Sequence, residues 1–214
     1  PTVDATESMI ENAIGAWPLP LGVAMNFVVN HKGYFVPMAI EEPSVVAAAS
    51  LGAKIALGGG GFTAEADPPR TIGQIELRDA PDAAQAVRTL NERSDEIVQA
   101  ATRASPRLVA RGGGATEIGA RVLDDRPGHL VLDVFVDCRD AMGANLVNSM
   151  VEAIAPHVAA MVGAKPGLQI LSNLAVRRMA RARATFPASA LGTETLKGED
   201  VAEAIAEAYW LAEA

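Results

Sequence analysis

From residue 71 to residue 171 the chain alternates strand-like and helix-like periods, and the order of those periods leaves few folds open. Residues 71–78 (TIGQIELR) alternate apolar and polar, as a half-buried strand does. Residues 82–103 repeat apolar positions at helical spacing, with Ala83, Val87, Leu90, Ile97 and Ala101 on or near one face. Strands follow at 115–123 and 130–137, joined by a turn at 124–128. A second helix over 144–162 sets Leu146, Met150, Ile154 and Val158 at i, i+4 spacing, and a turn at 163–167 leads to a short strand at 168–171. The succession β-α-β-β-α-β is the split, ferredoxin-like arrangement. It predicts a four-stranded antiparallel sheet with both helices on one face, within an α+β fold.

The flanking segments follow other patterns. Residues 8–15 suit a short helical turn ended by Gly15, and Pro18 and Pro20 force an extended path. A strand at 21–29, a turn at 30–33 and a return strand at 34–40 make a hairpin that delivers Glu41 and Glu42 to Pro43. Pro43 suits the first position of a helix, where its missing N–H is not needed. Residues 45–56 are apolar nearly all round, which predicts a buried helix. A carboxylate at such an N-terminus feels two pulls: the helix end favours its charge and burial opposes it, which is how a proton donor is tuned. The plainer alternative is an N-capping acid with a solvated neighbour. The glycine run 58–61 is a hinge, a close approach to a ligand, or a simple loop. A helix is expected at 173–184, with Arg177, Arg178, Arg181 and Arg183 as a solvated or partner-facing side. A loop spans 185–197 and an amphipathic helix 199–214.

Composition narrows function. The net charge of −8, without a Lys/Arg block, disfavours nucleic acid and anionic membrane as partners. No apolar run approaches the ~18 residues of a membrane span, and the N-terminus has no signal-peptide pattern. A single cysteine, Cys138, allows no intramolecular disulfide; with these features it predicts a cytoplasmic protein. Cys138 itself is expected to pack as a small apolar residue at a strand end. His31, His129 and His157 lack metal-ligand spacing, and no metal is expected. Residues 137–145 (DCRDAMGAN) join a strand to a helix. Gly143 allows close backbone approach, the first turn offers N–H groups to phosphate, and Asp140 is placed to cap the turn or hold a ribose hydroxyl. Asn145 and Asn148 lie on the less apolar side of that helix.

Five stretches, Glu11 to Gly15, Glu41 to Ser50, Gly59 to Phe62, Asp140 to Asn145 and Ser172 to Ala175, occur in the order and spacing of one family. In them the chain resembles 3-hydroxy-3-methylglutaryl-coenzyme A (HMG-CoA) reductase of the soluble, class II type. The resemblance implies reduction of the thioester HMG-CoA to mevalonate and coenzyme A, or the reverse, with two nicotinamide dinucleotides. It implies a homodimer with the active site at the subunit interface. It implies three segments: 1–68 and 173–214 belonging to a larger, mostly helical α+β substrate domain, and 69–172 a ferredoxin-like NAD(P)-binding domain inserted in it. By residue, Glu42 matches the catalytic glutamate that passes a proton to the substrate oxygen as hydride arrives. Ser44 and Glu11 match substrate-binding positions. Asp140, Met142, Gly143, Asn145 and Asn173 match cofactor-binding positions.

Two departures shape the expectation. The family's catalytic lysine, second carboxylate and histidine follow the region matched here. The chain, which begins at Pro1 without Met, is therefore expected to be an inactive piece of an enzyme about twice as long. The segment 103–107 (RASPR), where NADH users carry an acid, has none. Ser105 and Arg107 are expected to favour NADPH over NADH, because a guanidinium fork suits a 2′-phosphate. A non-catalytic dinucleotide- or coenzyme-A-binding module is the alternative; an α+β interaction domain fits the five ordered motifs less well.

Overall fold

The computed structural model describes residues 3–123 and 126–214; Asp124 and Asp125, in the turn expected at 124–128, lie outside the described residues. In chain order the elements are α1 (Val3–Glu7), β1 (Leu21–Val29), β2 (Lys32–Ala39), α2 (Val45–Gly58), β3 (Phe62–Ala66), β4 (Arg70–Arg78), α3 (Ala83–Glu92) and α4 (Ser94–Arg103). They continue with α5 (Pro106–Val109), β5 (Gly114–Val122), β6 (Leu130–Asp137), α6 (Ala144–Met161), β7 (Lys165–Leu171), β8 (Ala180–Ala184), α7 (Ala188–Leu191) and α8 (Gly198–Glu213). The chain forms two compact units: Pro1–Glu65 with Arg181–Ala214, and Ala66–Ala180.

The second unit carries a sheet in the order β5-β6-β4-β7. β4 pairs antiparallel with both β6 and β7, and β5 antiparallel with β6. Helix α6 packs on β4 and β7, and α3 and α4 pack on β5. The core between sheet and helices includes Ile75, Leu77, Leu132, Val134 and Val136 from the strands and Leu90, Ile97, Val147, Met150 and Val158 from the helices. Gly73 sets how closely α6 approaches: a Cβ there would fall 2.6 Å from Cγ1 of both Val147 and Val151. One helix is expected over 82–103, but the structure has two, broken at Arg93 (φ −101°, ψ 22°). The break falls in the polar run Asn91–Asp95, where no apolar side chain holds the helix to the sheet and Ser94 and Asp95 favour a fresh helix start. Asp82 caps α3, its carboxylate accepting from Gln85 N at 2.8 Å.

The first unit holds a sheet in the order β2-β1-β3-β8. The β1–β2 hairpin closes through Asn30 and His31, both left-handed (φ 51° and 66°), the backbone of a two-residue turn matched to strand twist. The Asn30 side chain donates to Ala64 O and accepts from Ala64 N, each at 2.9 Å, so it extends the link between the hairpin end and β3. A bulge between Ala24 and Phe27 puts Asn26 in the left-handed region, and its amide donates to Ser50 O of α2.

Three expectations for this unit are corrected. The N-terminal helix is Val3–Glu7 rather than 8–15. Helix α2 begins at Val45, so Pro43 precedes it, and it is not buried all round. Ala53 and Ala56 are buried, while Leu51 and Leu57 on the same helix are exposed. Residues 173–184 are not a helix: 173–179 are irregular and β8 follows. Their Ala, Leu, Met and Arg are strong helix formers, but propensity is worth only tenths of a kcal/mol per residue (about 0.7 at most for ordinary residues), and over 180–184 pairing with β3 overrides it. Met179 O accepts from Asp67 N at 2.8 Å as the chain enters the sheet edge. No described helix is long and apolar enough to cross a membrane.

Candidate functional site

In the second unit, β6 ends at Asp137 and the chain must turn sharply into α6. Asp137 Oδ1 accepts from Arg139 N at 2.9 Å, Ala141 N donates to Cys138 O at 3.1 Å, and Arg139 sits in the left-handed region (φ 53°). Gly143 stands before α6 at φ 97°, and a Cβ there would fall 2.8 Å from Cys138 Sγ. Only glycine meets both demands. It leaves the first turn of α6 without a side-chain cap and without an acidic residue. Those N–H groups and the positive helix end are suited to an anion.

Arg139 reaches back across the loop. Its guanidinium donates to Gly112 O through Nε (2.8 Å) and through a terminal nitrogen, with the Asp137 carboxylate 3.7 Å from Nε. This ties the 112–114 glycine loop to the end of β6. Between the two lies a cleft of about 620 Å³ lined by Arg107, Leu108 and Arg111 on one side and by residues 138–141 and Leu146 on the other. Cys138 is buried at its floor, and burial pushes its thiol up, partly offset by a hydrogen bond to Thr71 and the charge of Arg178.

Of the expected cofactor residues, Arg107 and Asp140 line this cleft together. Gly143 and Asn145 flank its helix N-terminus, Asn145 exposed. Met142 is exposed on the same loop. Ser105 precedes α5, half-buried and without a capping bond, and it is not among the lining residues. Asn173 is exposed in the irregular segment after β7. Asn148 is structural, its Oδ1 accepting from Leu171 N at 2.8 Å.

Sequence reasoning missed three arginines here. Arg111 and Arg139 line the cleft. Arg178, read as part of a solvated helical side, instead donates to Ala141 O (3.3 Å), Met142 O and Thr71 Oγ1 (both 3.4 Å) and holds the loop from below. Arg177 lies over the Phe135 ring at 4.9 Å and meets Glu117 at 3.5 Å. The only signal in the sequence was an arginine pair directly after the Ser172–Ala175 motif.

In the first unit, Glu41, Glu42 and Ser44 line a groove of about 330 Å³ with Leu21, Gly22 and Val46. Ser44 is left-handed (φ 71°) and makes no side-chain cap; its carbonyl accepts from Ala48 N at 2.8 Å. Glu42 is exposed within this chain, so the burial expected to oppose its charge is not supplied by these residues. Glu11, also exposed, is not among the groove residues. Glycines 59–61 pack closely: a Cβ on Gly59 would collide with Thr185 O, and one on Gly61 would lie 2.6 Å from Val28 O. His129 Nδ1 meets Pro127 O and His157 Nε2 meets Glu96, and among the described residues no group of acids, His and Cys gathers for a metal.

The family model for hydroxymethylglutaryl-coenzyme A reductase matches residues 2–214. The chain is 45% identical over 213 residues to 3-hydroxy-3-methylglutaryl-coenzyme A reductase of Archaeoglobus fulgidus, covering 99% of this chain and 48% of that protein. It is similar to the solved structure of the reductase of Streptococcus pneumoniae, with a TM-score of 0.94 and 34% identity, over 99% of this chain and 57% of that one. It is also similar to the class II reductase of the same organism bound to NADPH in open conformations, with a TM-score of 0.89 and 34% identity, over 94% and 49% of the two chains. The chain thus spans about half the length of these relatives. With the match running through both units and both grooves, the chain belongs to the hydroxymethylglutaryl-coenzyme A reductase family.

Proposed function

We propose that this chain forms the dinucleotide-binding unit and part of the thioester-binding unit of an HMG-CoA reductase. The observation that carries the reading is the arginine-lined cleft against the uncapped N-terminus of α6, in a chain that matches the family from residue 2 to residue 214. The cleft's chemistry fits a dinucleotide. Guanidinium groups and free N–H groups suit its phosphates, Asp140 suits a ribose hydroxyl, and Gly143 lets the loop turn tightly over Cys138 into the first turn of α6. Such a dinucleotide supplies hydride.

The chain's own residues take the other roles. Glu42 holds the proton that the substrate oxygen needs as negative charge develops there, and Ser44, whose hydroxyl makes no capping bond, is placed to hold the substrate at the start of α2. Glu11 contributes to the thioester side, and Met142, Asn145 and Asn173 to the dinucleotide. The segment 103–107 has no carboxylate to hold a 2′-hydroxyl, so Ser105 and Arg107 favour NADPH over NADH. The partners are HMG-CoA, mevalonate and coenzyme A, together with a second copy of the chain. The physiological setting is cytoplasmic.

The oxyanion-stabilising lysine, the second carboxylate and the thiolate-protonating histidine of the family have no counterparts in the two grooves, so the chain by itself binds but does not turn over. The test is absorbance at 340 nm with HMG-CoA and NADPH, beside a direct NADPH titration. The expected result is NADPH binding without thioester-dependent oxidation. Oxidation would mean that residues 1–214 supply those roles and that the assignment is wrong. Failure to bind NADPH would remove the cofactor half of the proposal.

A further inference from the structure

Two of the cleft's cations are left without a counter-charge. Arg107 and Arg111 both line it, and among the described residues neither meets a carboxylate. Several arginines elsewhere in the unit do: Arg70 and Arg177 reach Glu117, and Arg121 reaches Asp133. Arg139, the third arginine of the cleft, is spent on Gly112 O and Asp137.

The spacing of the two is equally specific. Residues 105–113 form one continuous turn, with Val109 N donating to Ser105 O, Ala110 N to Pro106 O and Gly113 N to Leu108 O. Four residues apart on that turn, Arg107 and Arg111 fall on one side, while Leu108 between them is buried and anchors the turn. Like charges at this spacing repel, and although Asp140 lines the same cleft, among the described residues it forms no ion pair with either arginine. A dianion does relieve them. A phosphomonoester concentrates three oxygens and close to two negative charges on one phosphorus, enough for two guanidinium forks, whereas each phosphate of a bridging pyrophosphate carries one charge and a hydroxyl carries none.

We infer that Arg111 is a second specificity-determining residue, pairing with Arg107 as a two-arginine clamp for a terminal phosphomonoester, the group that distinguishes NADP from NAD. This rests on the dinucleotide reading of the cleft and adds Arg111 to it. Because the clamp meets only the 2′-phosphate, its loss removes discrimination and leaves the shared contacts intact.

The experiment is calorimetric titration of the chain with NADP and with NAD, which differ only in the 2′-phosphate, the one monoester either carries. Wild type binds NADP more tightly, and the preference weakens with added salt. Arg111→Leu lowers NADP affinity about tenfold and leaves NAD unchanged, the loss expected for one charge-assisted contact. Arg111→Lys, which keeps the charge but not the fork, recovers only part of it. The Arg107→Leu/Arg111→Leu protein binds the two nucleotides alike. If Arg111→Leu keeps the full preference, the clamp is wrong while the dinucleotide reading stands. If wild type binds neither nucleotide, both are wrong.

Discussion

Cys138 and Gly143 explain each other. The sulfur fills the space a Cβ at 143 would need, and the left-handed backbone at Gly143 aims the start of α6 into the cleft. Burial also gives the thiol a pH signature. Desolvation raises it above its ordinary value of 9.0, so the unfolded chain ionises first and the folded chain holds a proton the unfolded one has lost. Stability contributed by this group is therefore intact below about pH 9.0 and falls as pH rises beyond it. Urea midpoints taken at neutral pH and near pH 10 should show wild type losing stability relative to Cys138→Ala. Parallel behaviour of the two proteins would contradict the assignment. At this scale the sequence is legible where a backbone demand shows as a residue type, as at Gly143, whereas Asp140, expected to cap the turn, makes no cap on α6. It is not legible at Arg178 or Arg139, because a guanidinium's partner is a carbonyl that only folding brings near.

Helix α6 is the element on which the cleft depends, since its first turn borders the cleft and its body fills the core. Its seat is Gly73 on β4, where Val147 and Val151 leave no room for a methyl group. Gly73→Ala is expected to destabilise the unit by about 1–3 kcal/mol, the usual cost of overpacking a well-filled core, and to weaken NADPH binding because α6 must shift. Chemical denaturation and a binding titration measure the two effects; an unchanged denaturation midpoint would show that α6 is free to move off the sheet. Most helices and strands of 71–171 were readable because one face is apolar and the other polar, and β6, buried at six of its eight positions, by its run of Val, Leu and Phe. The segment 173–184 was not, since its Ala, Arg and Met are helix formers and over 180–184 the edge of β3 overrode that preference.

On the whole-molecule scale the two units differ in how much apolar surface they cover. The second unit has a continuous core, while in the first only Ala24, Ala53 and Ala56 among the described apolar residues are buried. That unit leaves Trp17, Phe35, Trp210 and Leu211 between 70% and 90% exposed. Large apolar side chains this exposed fit the second copy of the chain proposed as a partner. Light scattering after size exclusion is expected to give twice the 22.2 kDa chain mass at micromolar concentration, with Trp210→Glu shifting the protein toward the single-chain mass. A monomer at all concentrations would leave that surface without the partner proposed for it.

What the sequence by itself determined is the set of local requirements: which stretches have a face to bury, where glycine is obligatory, and which acids precede α2 and α6. Periodicity and backbone sterics are properties of neighbouring residues, so they can be read in order along the chain. The tertiary structure alone decided where α3 ends and α4 begins, that β8 joins a sheet instead of forming a helix, and that α2 is covered on one side only. It alone decided that Arg107 and Arg111 share a cleft with Asp140 yet, among the described residues, form no ion pair, while Arg139 and Arg178 are consumed by the loop. Those outcomes depend on which distant groups arrive within hydrogen-bond reach, and charge neutralisation, unlike periodicity, is settled by distance in space.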